Sequence, residues 1–177
     1  TGYMLSSSPV EEIGSIVSES IKLEAGIFSD KKSIPLGDLE ASQYDIELSY
    51  RVAEGADCDL IRDFGIILEN GLGQSLFAGY HIKNKQVFID RSKSGITDFS
   101  IHFPGKHIAP YAFSEDGVIK FRALVDKSSI ELFVDDGRVA MTELFFPDEP
   151  FNSLSFYSNG GSIELLGASI SGVKRCW

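Results

Sequence analysis

Along most of this chain, hydrophobic and polar residues alternate with a period of two. Tyr44, Ile46, Leu48, Tyr50 and Val52 alternate with Asp45, Glu47, Ser49, Arg51 and Ala53, the pattern of a strand with one buried face. Further strands are expected at Ser20–Phe28, Phe64–Glu69, Ser75–Ile82, Gln86–Arg91, Phe99–Phe103, Val118–Asp126, Ser129–Val134, Val139–Phe145, Leu154–Ser158 and Ser162–Ser169. Turn signals separate them: Glu54-Gly55, Asn70-Gly71, Lys83-Asn84-Lys85, Asp116-Gly117, Asp136-Gly137 and Asn159-Gly160-Gly161. Short strands with turns at this spacing predict an all-β fold, an antiparallel two-sheet β-sandwich of jelly-roll or concanavalin-like type. The clearest hairpin runs from Leu124 to Pro147, with Asp135-Asp136-Gly137 supplying a tight turn. One helical start stands out, Ser8-Pro9-Val10-Glu11: a serine cap, a proline at the first position and a glutamate three residues after the cap. Gly14 and the β-branched residues after it limit that helix to a turn or two.

No linker or repeat divides the pattern, so residues 1–177 read as one domain. A chain this long buries roughly 70% of the surface its unfolded form exposes and needs no disulfide scaffold. The hydrophobic fraction of 43%, with 13 Phe and 6 Tyr, fits a packed core. A net charge of −10 repels phosphate backbones and anionic headgroups, which argues against nucleic acid and membrane surfaces as partners and leaves neutral ligands such as sugars open. No run approaches the roughly 18 apolar residues of a membrane span. The start, TGYMLSSSP, lacks the basic and apolar blocks of a signal peptide, so the chain reads as a mature product or a piece of something longer. Cys58 and Cys176 could bridge a loop to the tail, but two thiols do not fix a compartment.

Most catalytic constellations fail on spacing. A retaining sugar hydrolase needs two carboxylates about 5–5.5 Å apart. Asp126 with Glu131 is the most tempting pair, although an acid that is solvated or held by an arginine is the commoner case. Asp57, Asp59 and Asp63 lack the glycine and terminal glutamate of a calcium loop. His81, His102 and His107 have no zinc spacing with either cysteine, no Gly-x-Ser-x-Gly elbow is present, and Gly71-Leu72-Gly73 sits between strands with no helix to receive a phosphate. No metal or cofactor is expected. One cluster remains: FIDRSKSG and LVDKSSIE each end an apolar strand with an acid, a base and a serine. Arg91 has the planar fork to pair with Asp90, Asp126 or Glu131. Such a network either locks strand ends together or forms a shallow site for sugar hydroxyls, with Tyr80 or Tyr111 as the apolar wall.

FIDRSKSG, HIAPY, LVDKSSIELFVDDGRVAMTELFFP and the terminal Trp177 together resemble the C-terminal β-sandwich of glycoside hydrolase family 32, which comprises invertases, levanases, inulinases and related fructan hydrolases. SSPVEEI resembles the connector after that family's catalytic domain, which places residues 1–18 in that role. The catalytic strings the family carries on its five-bladed propeller, Asn-Asp-Pro-Asn-Gly, Arg-Asp-Pro and Glu-Cys, do not occur here, and Arg62-Asp63 is followed by Phe64. The resemblance therefore implies an accessory domain without catalytic residues. It would partner a catalytic propeller in a secreted or periplasmic/cell-envelope β-fructosidase, with fructan oligosaccharides as an alternative partner. If the domain binds terminal fructose itself, the residues expected to hold it are Asp90, Arg91, Asp126, Glu131, Tyr80 and Tyr111.

Overall fold

The computed structural model describes residues 5–39, 41–52, 60–112 and 116–174. Cys58, Cys176, Asp57, Asp59 and Trp177 lie outside the described residues. The strands, in chain order, are β1 (Val17–Leu23), β2 (Gly26–Phe28), β3 (Lys31–Pro35), β4 (Tyr44–Val52), β5 (Asp63–Glu69), β6 (Ser75–His81), β7 (Gln86–Lys93), β8 (Lys106–Pro110), β9 (Val118–Val125), β10 (Ser129–Val134), β11 (Val139–Leu144), β12 (Ser153–Asn159) and β13 (Ile163–Val173). They form two antiparallel sheets. The first runs β1-β13-β4-β9-β10-β11, with β2 also paired to β13, and the second runs β3-β12-β5-β6-β7-β8. The expected sandwich is present.

Alternation builds the core. Tyr44, Ile46, Leu48 and Tyr50 of β4 are all buried, and so are Ile119, Phe121, Ala123 and Val125 of β9, directly across the ladder. The second sheet answers with Phe64, Ile66 and Leu68 of β5 and with Leu76, Ala78 and Tyr80 of β6. Tyr50 spans the gap: its ring meets Phe64 edge-on at 5.2 Å, and its hydroxyl donates to the Gly65 carbonyl at 2.7 Å. Burying that hydroxyl without an acceptor would be costly, so the bond fixes where the two sheets sit against each other.

Several boundaries differ from the sequence expectation. The run Ser20–Phe28 is two strands, because the chain leaves β1 at Glu24-Ala25 and re-pairs with β13 as β2. Lys31–Pro35 pairs with β12 although three polar residues precede its single buried position, Ile34. Phe99–Phe103 is not a strand: Phe103 N–H bonds to the Ser100 carbonyl in a turn, and the strand comes later, at Lys106–Pro110. Near the N-terminus a 3-10 turn spans Glu11–Ser15, but its cap is Val10, with no side-chain cap bond. Ser8 and Pro9 belong instead to an extended lead-in that lies on the first sheet.

That lead-in is seated by a glycine. Asp135, Asp136 and Gly137 all take positive φ (45°, 57° and 79°), closing the β10–β11 hairpin. The Ser7 amide donates to the Gly137 carbonyl at 3.0 Å. A Cβ on Gly137 would fall 1.8 Å from the Ser7 carbonyl oxygen. Gly137→Ala should therefore lift the lead-in while the sandwich stays folded, at a cost of about 1–2 kcal/mol for the left-handed backbone. Hydrogen exchange at Ser7, compared with the core of β4, checks this; unchanged protection at Ser7 would contradict it.

Candidate functional site

The residues singled out from sequence fall in three places. Strand alternation explains why. In β7, Val87 and Ile89 face the core, so Arg91 does too and Asp90 faces away. Asp90 accepts from the Ser92 amide and hydroxyl at 3.0 and 2.6 Å. In β10, Ile130, Leu132 and Val134 are fully buried, so Glu131 points out of the opposite face. Arg91 is thus separated from Asp90 by a strand's thickness and from Glu131 by a sheet.

Its partner is Glu143, which the sequence places on the return strand of the hairpin but not among the expected site residues. Glu143 pairs with the buried Ile130 across the β10–β11 ladder, and Val139 and Met141, on the same face of β11, pack against the core. Glu143 is an acid at the rim of the core, with its side chain 11% exposed. Arg91 Nη1 meets its Oε2 at 2.9 Å, and His107 Nδ1 meets Oε1. His107 pairs with Ile89 in the ladder and so also faces inward. Arg91 further donates from Nε to the Phe103 carbonyl at 2.9 Å and from Nη1 to the Leu144 carbonyl at 3.2 Å, and its guanidinium lies 4.0 Å from the Phe103 ring centroid. The period-two spacing Val139, Met141, Glu143 was the signal in the sequence that would have placed Glu143 on the inner face.

Tyr80 and Tyr111 form a second tie. Tyr80 is in the core, 1% exposed, and its hydroxyl donates to the Tyr111 carbonyl at 3.0 Å, so its ring offers no wall to a ligand. The Tyr111 hydroxyl donates to Asp135 Oδ2 at 2.5 Å, in the β10–β11 turn. Burial pushes the Tyr80 hydroxyl up to about 12. Burial, followed by the hydrogen bond to Asp135 and its charge, does the same for Tyr111.

The third group lies around the lead-in. Asp126 and Glu131 border one shallow groove of about 220 Å³ with Gln43, Ile13 and Ile16, and Gln43 Nε2 donates to Asp126 Oδ1 at 2.6 Å. A better-formed cleft of about 390 Å³ lies where Ser8 and Pro9 cross the outer face of the first sheet. Phe133, Glu47, Lys120, Arg122 and Asp135 line it. Here Arg122 makes a bidentate pair with Asp45 (Nε 3.0 Å, Nη2 2.7 Å) and lies 3.2 Å from Glu47. The Asp45 hydrogen bonds push the guanidinium further up, so it stays charged. Among the described residues no three His, Cys, Asp or Glu side chains gather closely enough to hold a metal ion.

The two-sheet fold recurs in known proteins. The family described as Glycosyl hydrolases family 32 C terminal matches residues 12–172. This chain belongs to that family. It is 32% identical over 176 residues to a levanase of Bacillus sp. (strain L7), covering 99% of this chain and 19% of the levanase. It is 28% identical over 104 residues to an extracellular exo-inulinase of Aspergillus ficuum, covering 59% of this chain and 19% of that enzyme. The crystal structure of exo-inulinase from Aspergillus awamori superimposes with a TM-score of 0.82 at 24% identity, over 98% of this chain and 33% of that one, which shows a shared fold. The family-32 C-terminal chain thus spans about a fifth of the length of these two curated relatives.

Two measurements follow from this geometry. Arg91→Ala leaves Glu143 at the core rim without its guanidinium, and should cost about 2–4 kcal/mol in urea unfolding, whereas Glu131→Ala should stay within about 0.5 kcal/mol of the parent. Equal costs for the two would refute the assignment. The raised Tyr80 and Tyr111 pKa values mean that the folded state holds these protons more tightly than the unfolded chain. Their contribution to stability is complete below pH 10 and is lost as pH rises from 10 towards 12. Tyr111→Phe should flatten the fall in unfolding free energy over that window; an unchanged slope would show that the hydroxyl is not coupled to folding.

Proposed function

We propose that this chain is the accessory, non-catalytic β-sandwich of a β-fructosidase or levanase-type glycoside hydrolase, packing on a five-bladed catalytic propeller and stabilising it. The observation that carries the reading is membership of a C-terminal domain family at a fifth of the length of the levanase and exo-inulinase it resembles. The side-chain chemistry supports it. The strongest polar groups are spent on one another, Arg91 with Glu143 at the rim of the core and Arg122 with Asp45 on the outer face of the first sheet. On this reading residues 1–177 are one domain, residues 1–18 are the connector, and the enzyme is secreted, as the extracellular exo-inulinase is.

A second reading, a module that binds fructan ends, draws on the cleft under Ser8 and Pro9. An aromatic ring beside fixed carboxylates and a guanidinium suits a neutral sugar. Of the six residues first expected to bind, Asp126 and Glu131 share a groove near it, and Asp90, Arg91, Tyr80 and Tyr111 lie elsewhere.

The catalytic domain alone, the joined two-domain protein and this chain alone separate these readings. The accessory role predicts that the catalytic domain alone melts several degrees below the joined protein, and that this chain releases no fructose from sucrose, inulin or levan. Calorimetric titration with levan and inulin fragments should give no saturable heat. Saturable binding that Arg122→Ala abolishes without unfolding would favour the second reading, and robust turnover by this chain would overturn both.

A further inference from the structure

The corner where the two open sheet edges meet carries a continuous apolar surface. After β7 the chain leaves its sheet and runs from residue 94 to 105, SGITDFSIHFPG, before β8. Among the twelve residues of this stretch only Asp98 is acidic, in a chain with 26 acids. Phe99 is 58% exposed, Ile101 88% and Ile96 50%, and Leu144 at the end of β11 is 49% exposed. The Phe99 ring lies 4.5 Å from that of Phe103 and 5.9 Å from that of Phe146, and Phe103 stacks on Phe146 at 5.5 Å. Arg91 holds the Leu144 carbonyl and the Phe103 carbonyl together, which brings the end of β11 beside this loop.

The backbone of this loop is anchored at both ends. At its far end the Arg91 amide donates to the Gly105 carbonyl at 3.0 Å. The Ile96 amide donates to the Phe146 carbonyl at 2.8 Å. Gly95, at φ +121°, lies so close that a Cβ there would sit 2.1 Å from the same oxygen. Arg91 pins the loop from below. Exposed aromatic and aliphatic side chains on a pre-ordered backbone lose little conformational entropy on docking, and contiguous patches of this kind mark interaction sites on otherwise charged proteins.

We infer that this patch, Ile96, Phe99, Ile101, Phe103, Leu144 and Phe146, is the surface that seats the catalytic domain. The inference rests on the accessory reading above and adds the place of contact. The lead-in fixes which side of the sandwich a preceding domain occupies: Ser7 is bound at Gly137, at one end of the β10–β11 hairpin, and the patch begins at Leu144, at the other end of β11. The six residues of β11 span about 20 Å. A domain entering at Leu5 reaches the patch by covering one hairpin length, and an interface of roughly 600–1,500 Å² between domains of one chain is about 25–40 Å across.

Hydrogen–deuterium exchange on this chain alone and joined to the catalytic domain tests the placement. Joining should slow exchange over 94–105 and 144–146. The double variant Phe99→Ser with Ile101→Ser should lower the melting temperature of the joined protein by roughly 4 °C or more beyond any fall it causes in this chain alone, where Phe99 also loses its contacts with Phe103 and Phe146. Ile101→Ser alone, at a position almost fully exposed, should act in the same direction with no folding cost. Protection on another face, with the patch still exchanging freely, would overturn the placement and leave the accessory role standing. No protection anywhere, with two independent melting transitions, would overturn both. Sedimentation showing that this chain alone dimerises through the patch, with no patch protection in the joined protein, would assign the surface to a second copy instead.

Discussion

Two sheets with separate hydrogen-bond ladders are held together by the side chains that face each other, and in this sandwich the open side is closed by one acid. Glu143 sits on the inner face of β11, the edge strand of its sheet, where its neighbours across the ladder and along the strand are apolar. A carboxylate left there without a partner would destabilise the fold by several kcal/mol. Arg91 and His107 reach it from the inner face of the other sheet. The same Arg91 collects the carbonyls of Phe103 and Leu144. One side chain of β7 thus links the loop from 94 to 105 to the end of β11. At the other end of the same side, Tyr111 and Asp135 repeat the device with a neutral donor.

The outer faces differ in a way that bears on function. On the first sheet the lead-in, the Asp45–Arg122–Glu47 cluster and Phe133 leave a cleft lined by charged groups. On the second sheet Ile67, Phe88 and Tyr157 are buried among themselves and beneath neighbours, with Lys106 Nζ 3.4 Å above the Phe88 ring. Gly65 and Gly79 lie opposite each other in that ladder, and a Cβ on either would strike the other strand's backbone. That face is covered around Phe88 and Tyr157, and Ile108, across the ladder from Phe88, is half exposed. At the corner built on Arg91, by contrast, Ile96, Phe99 and Ile101 stay exposed within one short loop, and the docking inferred for that corner would cover them.

The sequence was legible wherever burial on one face imposed a period of two. Ser129–Val134 and its partner strand were readable to within a residue because Ile130, Leu132 and Val134 must all enter the core. The turn was readable because three consecutive positive φ values demand residues such as Asp and Gly. Phe99–Phe103 misled for the same reason: its apolar alternation looks like a strand, but those side chains satisfy one another and Phe146 at the surface rather than facing a second sheet. Lys31–Pro35 was invisible because it is an edge strand that buries only Ile34. The site was less legible than the fold. Residue type places acids beside Arg91 in sequence, yet alternation sends Asp90 to the opposite face, and the true partner lies 52 positions away on another strand.

The outcome for Arg91 shows why residue type alone misassigns such clusters. A guanidinium has five donors, and a sugar site needs several of them free and aimed at solvent. Here Nε is committed to Phe103, Nη1 serves both Leu144 and Glu143, the plane is stacked over an aromatic ring, and the side chain is only 12% exposed. A hydroxyl that displaced any of these three acceptors would leave a carbonyl or a carboxylate buried and unpaired, a net loss. The arginine is therefore better suited to supporting a surface than to forming one. What it supports is apolar, anchored at both ends and next to the hairpin that receives the incoming chain, and those properties fit recognition of a folded neighbour better than recognition of a fructose ring.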